Sequence, residues 1–231
     1  MLAFRNRAND QVWRDPAIVA EYSRAAELQL AEQAVLDLLE PTLPSMDMLD
    51  IGVGGGRTAL HFAQRTRRYV GIDYSPEMIA ACGARLRSAA NIRFAVCDAR
   101  ELDGFAASSF DFILFSYNGI DYMSHLERLD AFAAVARICI RGGYFCFSSH
   151  NLRSLEAAKA HPITGSGYAI VNDGVHGGRL ETYYVSPDEQ LNQLSPWFNE
   201  IRVYDIDGER VTLQALGASC DPWLTFLCRA R

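Results

Sequence analysis

No stretch of this 231-residue chain reaches the ~20 consecutive apolar residues of a membrane-spanning helix, so no membrane partner is expected. Residues 1–10 lack the apolar core of a secretory signal. No lysine- or arginine-dense stretch occurs, and the formal charge is −6. Enzymes that track a phosphate backbone usually carry a basic footprint, so nucleic acid is not expected either. The small basic cluster Arg65, Arg67 and Arg68 is expected at the end of a helix, where cations suit the negative dipole end. The six cysteines form no C-x-x-C pair and show no ligand spacing, which predicts no metal. Most of them fall in apolar runs and behave as small hydrophobes, as in a reducing compartment. Repeats, low-complexity segments and an interdomain linker are all missing. The expectation is one cytoplasmic domain over 1–231, with the oligomeric state left open.

What is present is a regular alternation of strands and helices up to about residue 150. Asp15-Pro16 opens a helix whose apolar face runs from Ile18 and Tyr22 to Leu38, ended by Pro41 and Pro44. An apolar strand over 46–51 then runs into glycines, followed by a helix over 57–66. A second strand covers 69–72, and Ser75-Pro76 caps the next helix. Strands follow at 92–97 and 110–115. Ser124 with Glu127 forms a capping box, and Gly142-Gly143 leads into a fifth strand over 144–148. Strands this apolar, separated by helices, read as a parallel sheet covered on both faces. Beyond 150, segments 168–171 and 180–185 flank Asn172-Asp173-Gly174 and Gly177-Gly178 as a β-hairpin. Ser186 caps another helix, and strands at 201–206 and 223–228 close the chain. The fold class is therefore α/β, with residues 1–45 as a helical cap and 151–186 as a hairpin insertion.

The strongest local signal is Leu49-Asp50-Ile51-Gly52-Val53-Gly54-Gly55-Gly56-Arg57. A strand entering glycines and then a helix brings backbone close to a ligand and aims N–H groups at it. The dinucleotide pattern G-x-G-x-x-G would place a glycine or alanine where Arg57 stands; the spacing here is G-x-G-x-G. Asp73, about 20 residues on, suits the two hydroxyls of a ribose in either a nicotinamide or an adenosyl cofactor.

Taken in order, 49–56, Gly71-Ile-Asp-Tyr-Ser-Pro-Glu-Met78, Val96-Cys-Asp-Ala-Arg100, Phe110-Asp-Phe-Ile-Leu114 and Arg141-Gly-Gly143 resemble the class I S-adenosylmethionine-dependent methyltransferases over nearly the whole chain. The resemblance implies a Rossmann-like, mostly parallel seven-stranded sheet ending in an antiparallel strand. It implies S-adenosylmethionine as cofactor. Its methionine end would lie on the glycine loop (Asp50, Gly52, Val53, Gly54, Gly56), its ribose on Asp73 with Tyr74 and Met78 nearby. The adenine amine would meet Asp98, flanked by Ala99 and Arg100. Val53 departs from the small or polar residue many members carry.

Methyl transfer from a sulfonium is an in-line displacement, and much of its catalysis comes from positioning. A base helps only where the acceptor must lose a proton. Polar segments after the fourth and fifth strands supply candidates. Ser116 and Tyr117 are expected against the cofactor; Asn118, Asp121 and His150 against the acceptor. His150 is the candidate base, its alternative an imidazole bonded to a loop carbonyl. Asn118-Gly119 also reads as a turn. Tyr22 suits a place over the sulfonium, or else a plain core position. The hairpin, with Tyr168, Tyr183, Tyr184 and His176, would form a lid, and alternation allows only one of Tyr183 and Tyr184 to face inward; Tyr183 is assigned there. The resulting expectation is O- or N-methylation of a small metabolite. An RNA or protein methyltransferase, a nicotinamide oxidoreductase and a non-catalytic cofactor-binding protein are the competing readings.

Overall fold

The computed structural model describes residues 7–86, 89–162, 168–171, 176 and 178–231. In chain order the elements begin with α1 (Arg7–Val12), α2 (Pro16–Arg24), α3 (Leu30–Leu39) and β1 (Asp47–Ile51). Then come α4 (Ala59–Phe62), β2 (Arg68–Asp73), α5 (Pro76–Arg85), β3 (Ile92–Val96), β4 (Phe110–Phe115), α6 (His125–Ile138) and β5 (Cys139–His150). The last part holds α7 (Leu155–Lys159), β6 (His161–Pro162), β7 (Tyr168–Val171), β8 (Leu180–Tyr183), α8 (Pro187–Leu194), β9 (Phe198–Tyr204), β10 (Arg210–Val211), α9 (Leu213–Leu216) and β11 (Trp223–Ala230).

One sheet organises the molecule, in the order β10-β9-β11-β5-β4-β1-β2-β3. The β3-β2-β1-β4-β5 half is parallel, and β11 runs antiparallel between β5 and β9. Alternation along each strand splits the core between two faces. Met48, Phe112 and Cys146 pack toward Val35 and Leu39 of α3, while Leu49, Ile113 and Phe147 pack toward Phe132 and Val135 of α6. Each such side chain, fully buried, stabilises by about 1.5–3 kcal/mol. The reversal of strand order between β1 and β4 opens a crevice at the carboxyl ends of the parallel strands.

The expected helix from Asp15 to Pro41 is two helices. The capped start is as read: the Asp15 carboxylate accepts from Ala17 N–H at 3.0 Å. The chain leaves α2 at Ala25 and restarts at Gln29, whose N–H donates to Glu32 Oε2 at 2.7 Å. The carbonyls of Ala25, Ala26 and Glu27, freed from helical bonding, face Arg85, His61 and Arg57 instead. Leu38, expected on the apolar face, is exposed, and Leu36 and Leu39 are buried in its place. The helix expected over 57–66 is regular only in α4. Arg67 and Arg68 consequently do not end a helix; they pair with Asp47 and, for Arg67, Asp111.

The sheet has eight strands rather than seven, because the two-residue β10 pairs with β9. The hairpin gains a third strand, giving a small sheet β6-β7-β8. The expected turn residues 172–174 and 177 lie outside the described residues. Hairpin and cap are joined across the crevice. Asn9 Nδ2 donates to Glu181 O at 2.8 Å, Glu181 N–H donates to Asn9 Oδ1 at 2.9 Å, and Arg179 pairs with Asp15 at 3.0 Å. Val12, Trp13 and Ile18 of the cap pack with Met78 and Leu180.

Candidate cofactor and acceptor site

Gly54 adopts φ +54°, and its N–H donates to Asp73 Oδ2 at 3.0 Å, so the loop folds onto the acid at the end of β2. Asp73 Oδ1 accepts from Ser75 N–H at 2.9 Å. Burial pushes the Asp73 carboxyl up to about 6, against these backbone hydrogen bonds, which hold it down. Gly55 is needed for close approach: a Cβ there would lie 2.6 Å from Ser23 Cα, in the backbone of α2.

Two adjoining compartments follow the carboxyl edge of the sheet. The first, about 850 Å³ including space open to solvent, is lined by Asp73, Tyr74, Met78, Asp98, Ala99 and Arg100, with Trp13 and Tyr122 opposite. The second, about 1240 Å³ on the same measure, is lined by Val53, Arg57, Asn118, His150, His176, Thr182 and Trp223 among others. Tyr22, Gly52, Gly54, Ser116, Tyr117 and Tyr122 border both. Asp98 is nearly buried and gripped by Arg100, with Nη2 to Oδ2 at 2.7 Å and Nε to Oδ1 at 2.9 Å. Arg100 also pairs with Glu127 at 2.9 Å.

His150 stands at the end of β5 with both ring nitrogens engaged. Nδ1 lies 2.8 Å from Asp121 Oδ2, and Nε2 lies 3.3 Å from Asn118 Nδ2. Asp121 and Arg128 are both fully buried and meet at 2.5 Å. Asp121 also accepts from Ser149 Oγ at 2.7 Å and from His150 N–H at 2.6 Å. With only donors around it, the Asp121 carboxylate selects the Nδ1–H tautomer of a neutral His150 and leaves the Nε2 lone pair on the cleft side. Tyr117 and Asn118, with φ of 56° and 58°, are consecutive left-handed residues bordering the cleft. Such backbone costs about 1–3 kcal/mol per residue and clusters at functional sites.

Several expected site residues stand elsewhere. Asp50 is sealed behind the glycine loop, accepting from Thr58 Oγ1 and Tyr69 OH at 2.5 Å each. Burial lifts its carboxyl to about 6. Gly56 does not line the cleft; it packs on α5, where a Cβ would meet Cys82 Sγ at 2.8 Å. Asp121 sits behind His150 rather than on the acceptor wall. Tyr183 turns away to Arg128, 5.8 Å from its ring, and Tyr168. Thr182 and Leu180 line the cleft instead, because β8 presents its alternate face, and the Tyr184 ring rests 5.4 Å from His150. Tyr22 lines both compartments, its hydroxyl 3.1 Å from His176 Nε2.

Trp13, Thr182 and Trp223 escaped the sequence reading, since no local pattern marks a side chain that reaches the crevice from the cap, the hairpin or the start of β11; Tyr122 ends the polar segment after β4. Arg57, in the sequence only the residue that breaks the dinucleotide pattern, holds the border of the cleft. Its guanidinium pairs with buried Glu32, donates to Ser116 Oγ at 3.1 Å and lies 4.8 Å over the Tyr117 ring.

Buried acids facing a glycine-rich loop, at the switch point of a β3-β2-β1-β4-β5-β11-β9 sheet, are the arrangement of the class I S-adenosylmethionine-dependent methyltransferase fold. This chain has that fold. Residues 48–143 match the family described as a methyltransferase domain. An uncharacterized methyltransferase of Bacillus subtilis, YcgJ, is 33% identical over 105 residues, covering 45% of this chain and 40% of its own. The chain spans half the length or less of the curated relatives it matches. The CcbJ methyltransferase of Streptomyces caelestis superposes with TM-score 0.67 at 15% identity, covering 95% of this chain and 98% of that one. A Haemonchus contortus phosphoethanolamine N-methyltransferase, solved with phosphomonomethylethanolamine and S-adenosylhomocysteine, gives 0.68 at 19% identity, covering 99% of this chain and 60% of that one. At these identities the likeness is one of fold. Among the described residues no helix is long and apolar enough to cross a membrane.

Proposed function

We propose that this protein transfers a methyl group from S-adenosylmethionine to an oxygen or nitrogen of a small-molecule acceptor. The observation that carries the reading is the paired cleft: buried carboxylates in one compartment, an oriented imidazole in the next, and a shared border of loop glycines and aromatic residues. The residues fit the cofactor. Asp73 and Asp98 offer acceptors to the ribose hydroxyls and the adenine amine. The 52–54 backbone offers room for the methionine end. When bound, the cofactor supplies an electrophilic methyl group on a cationic sulfur.

His150 Nε2, with Nδ1–H held by Asp121, accepts the proton of an acceptor hydroxyl or ammonium. Asn118 Nδ2 occupies that lone pair until an acceptor displaces it. Tyr22 borders both compartments, and the face of its ring would suit a sulfonium. The cap and hairpin exclude water from the reacting atoms. A small acceptor, rather than a polymer, agrees with a second compartment covered by hairpin residues His176, Leu180 and Thr182. It also agrees with the net negative charge.

The test is calorimetric titration with S-adenosylmethionine and with NADH, using wild type, Asp73→Ala and Asp98→Ala. Micromolar binding of the first ligand alone, weakened by both substitutions, is expected. Binding indifferent to both substitutions, or preference for NADH, would remove the proposal.

A further inference from the structure

We propose that Trp13 reads the cofactor, its indole N–H donating to an acceptor atom of the bound adenosine. This rests on the reading that the first compartment takes S-adenosylmethionine. Among the described residues six buried side-chain polar atoms lack a hydrogen-bond partner. Four of them, Trp13 Nε1, Gln29 Oε1, Asn118 Oδ1 and Thr182 Oγ1, belong to residues that line the cleft. A buried polar group left unpaired costs free energy, so their concentration here marks a surface completed by ligand.

Of these four, only the indole is restricted to donating. It is also the one in the first compartment, beside Asp73, Met78 and Asp98. Of the other donors there, Arg100 is engaged with Asp98 and Glu127, Asn9 Nδ2 with Glu181 O, and Gly54 N–H with Asp73. The two carboxylates match the donors of adenosine, its ribose hydroxyls and exocyclic amine. Adenosine also carries atoms that only accept, the ring nitrogens and the ribose ring oxygen, and these require a donor from the protein.

The indole is fixed in advance of binding. Its ring centroid lies 5.0 Å from Tyr22, 5.3 Å from Tyr122 and 5.3 Å from His176. Its carbonyl accepts from Ser75 Oγ at 3.0 Å, and Ser75 N–H donates to Asp73 Oδ1. One residue thus ties the position of the indole to that of the ribose acid, so a ligand that satisfies Asp73 meets Trp13 with little ordering cost.

The experiment replaces Trp13 in the full chain by benzothienylalanine, which keeps the shape of the ring but has no N–H, and titrates with S-adenosylhomocysteine. Trp197→Phe, at a partly exposed site outside the cleft, is the control. Binding weakened about 5- to 30-fold in the Trp13 variant and unchanged in the control is expected. In 15N-labelled wild type, the Trp13 indole N–H resonance moves and its hydrogen exchange slows on binding. Equal affinity of wild type and the benzothienyl variant, with an unmoved indole resonance, overturns the inference while leaving the proposed function standing. Failure of the wild type to bind S-adenosylhomocysteine at all removes the proposed function and this inference together.

Discussion

Replacing Asp121 with asparagine changes one oxygen into an NH2 group where four donors converge. Arg128 Nη1 and Ser149 Oγ donate to Oδ1, and the His150 backbone N–H and Nδ1 approach Oδ2. Asparagine retains one accepting oxygen, so whichever way its amide turns, one pair of donors faces NH2. Arg128 also loses its ion-pair partner while remaining fully buried. Breaking a buried pair from one side costs about 3–5 kcal/mol. In a domain of this size that corresponds to a Tm lower by roughly 6–20 °C. Against a typical total stability of about 5–15 kcal/mol, that loss removes a fifth or more of the stability. The imidazole changes as well. With the carboxylate gone, the preference for Nδ1–H disappears, and Nε2 loses its standing as a proton acceptor. The assays are urea denaturation and long-range 1H–15N spectra, which identify the protonated ring nitrogen of His150. Once an acceptor is in hand, kcat should fall by about 10²–10⁴-fold, the usual contribution of a positioned base. A stability loss under 1 kcal/mol, with Nδ1 still protonated as in wild type, would refute the reasoning.

Cofactor binding should depend on pH through Asp73. Its carboxyl is lifted to about 6, and ribose hydroxyls prefer the ionised form, so affinity strengthens as pH rises through that value. Roughly tenfold weaker calorimetric binding at pH 5 than at pH 7 is expected, with a flat profile in Asp73→Asn. Asp50 acts on stability with a definite sign. Burial lifts its carboxyl from the ordinary 3.8 to about 6 in the folded protein, so its contribution is fully present below the lower value and lost as pH rises through the higher. The stability of wild type relative to Asp50→Asn should therefore decline between pH 4 and pH 7 in denaturant titrations. Gly55→Ala places a methyl group against the Ser23 backbone and displaces α2. Faster proteolysis within residues 16–24 and roughly tenfold weaker cofactor binding would show it, the latter from loss of close positioning. Arg57→Gln strands Glu32, which is 3% exposed, and should cost about 3–5 kcal/mol in the same denaturation assay.

The sequence by itself determined the architecture and which residues gather at the carboxyl edge of the sheet. Apolar strands alternating with capped helices dictate a covered parallel sheet, because a strand buried on both faces cannot be polar on either. The glycine spacing, with Asp73 and Asp98 at fixed distances along the chain, is local information: each sits where its own strand ends, and a parallel sheet brings all strand ends of one polarity to one edge. The acceptor side had no such rule. Whether Tyr183 or Thr182 faces the cleft depends on how β8 meets the cap, and periodicity defines two faces without saying which is covered. The end of α2 at Arg24 is set by side chains of Arg57, His61 and Arg85, drawn from 30 to 60 residues away. Asp121, expected on the acceptor wall, and Arg128 are seven residues apart, and nothing in the sequence pairs them. Only when β5 lays Ser149 and His150 against them do they become a buried network that orients the imidazole. Charges without sequence spacing become a site through desolvation and three-dimensional proximity, and tertiary structure alone supplies both.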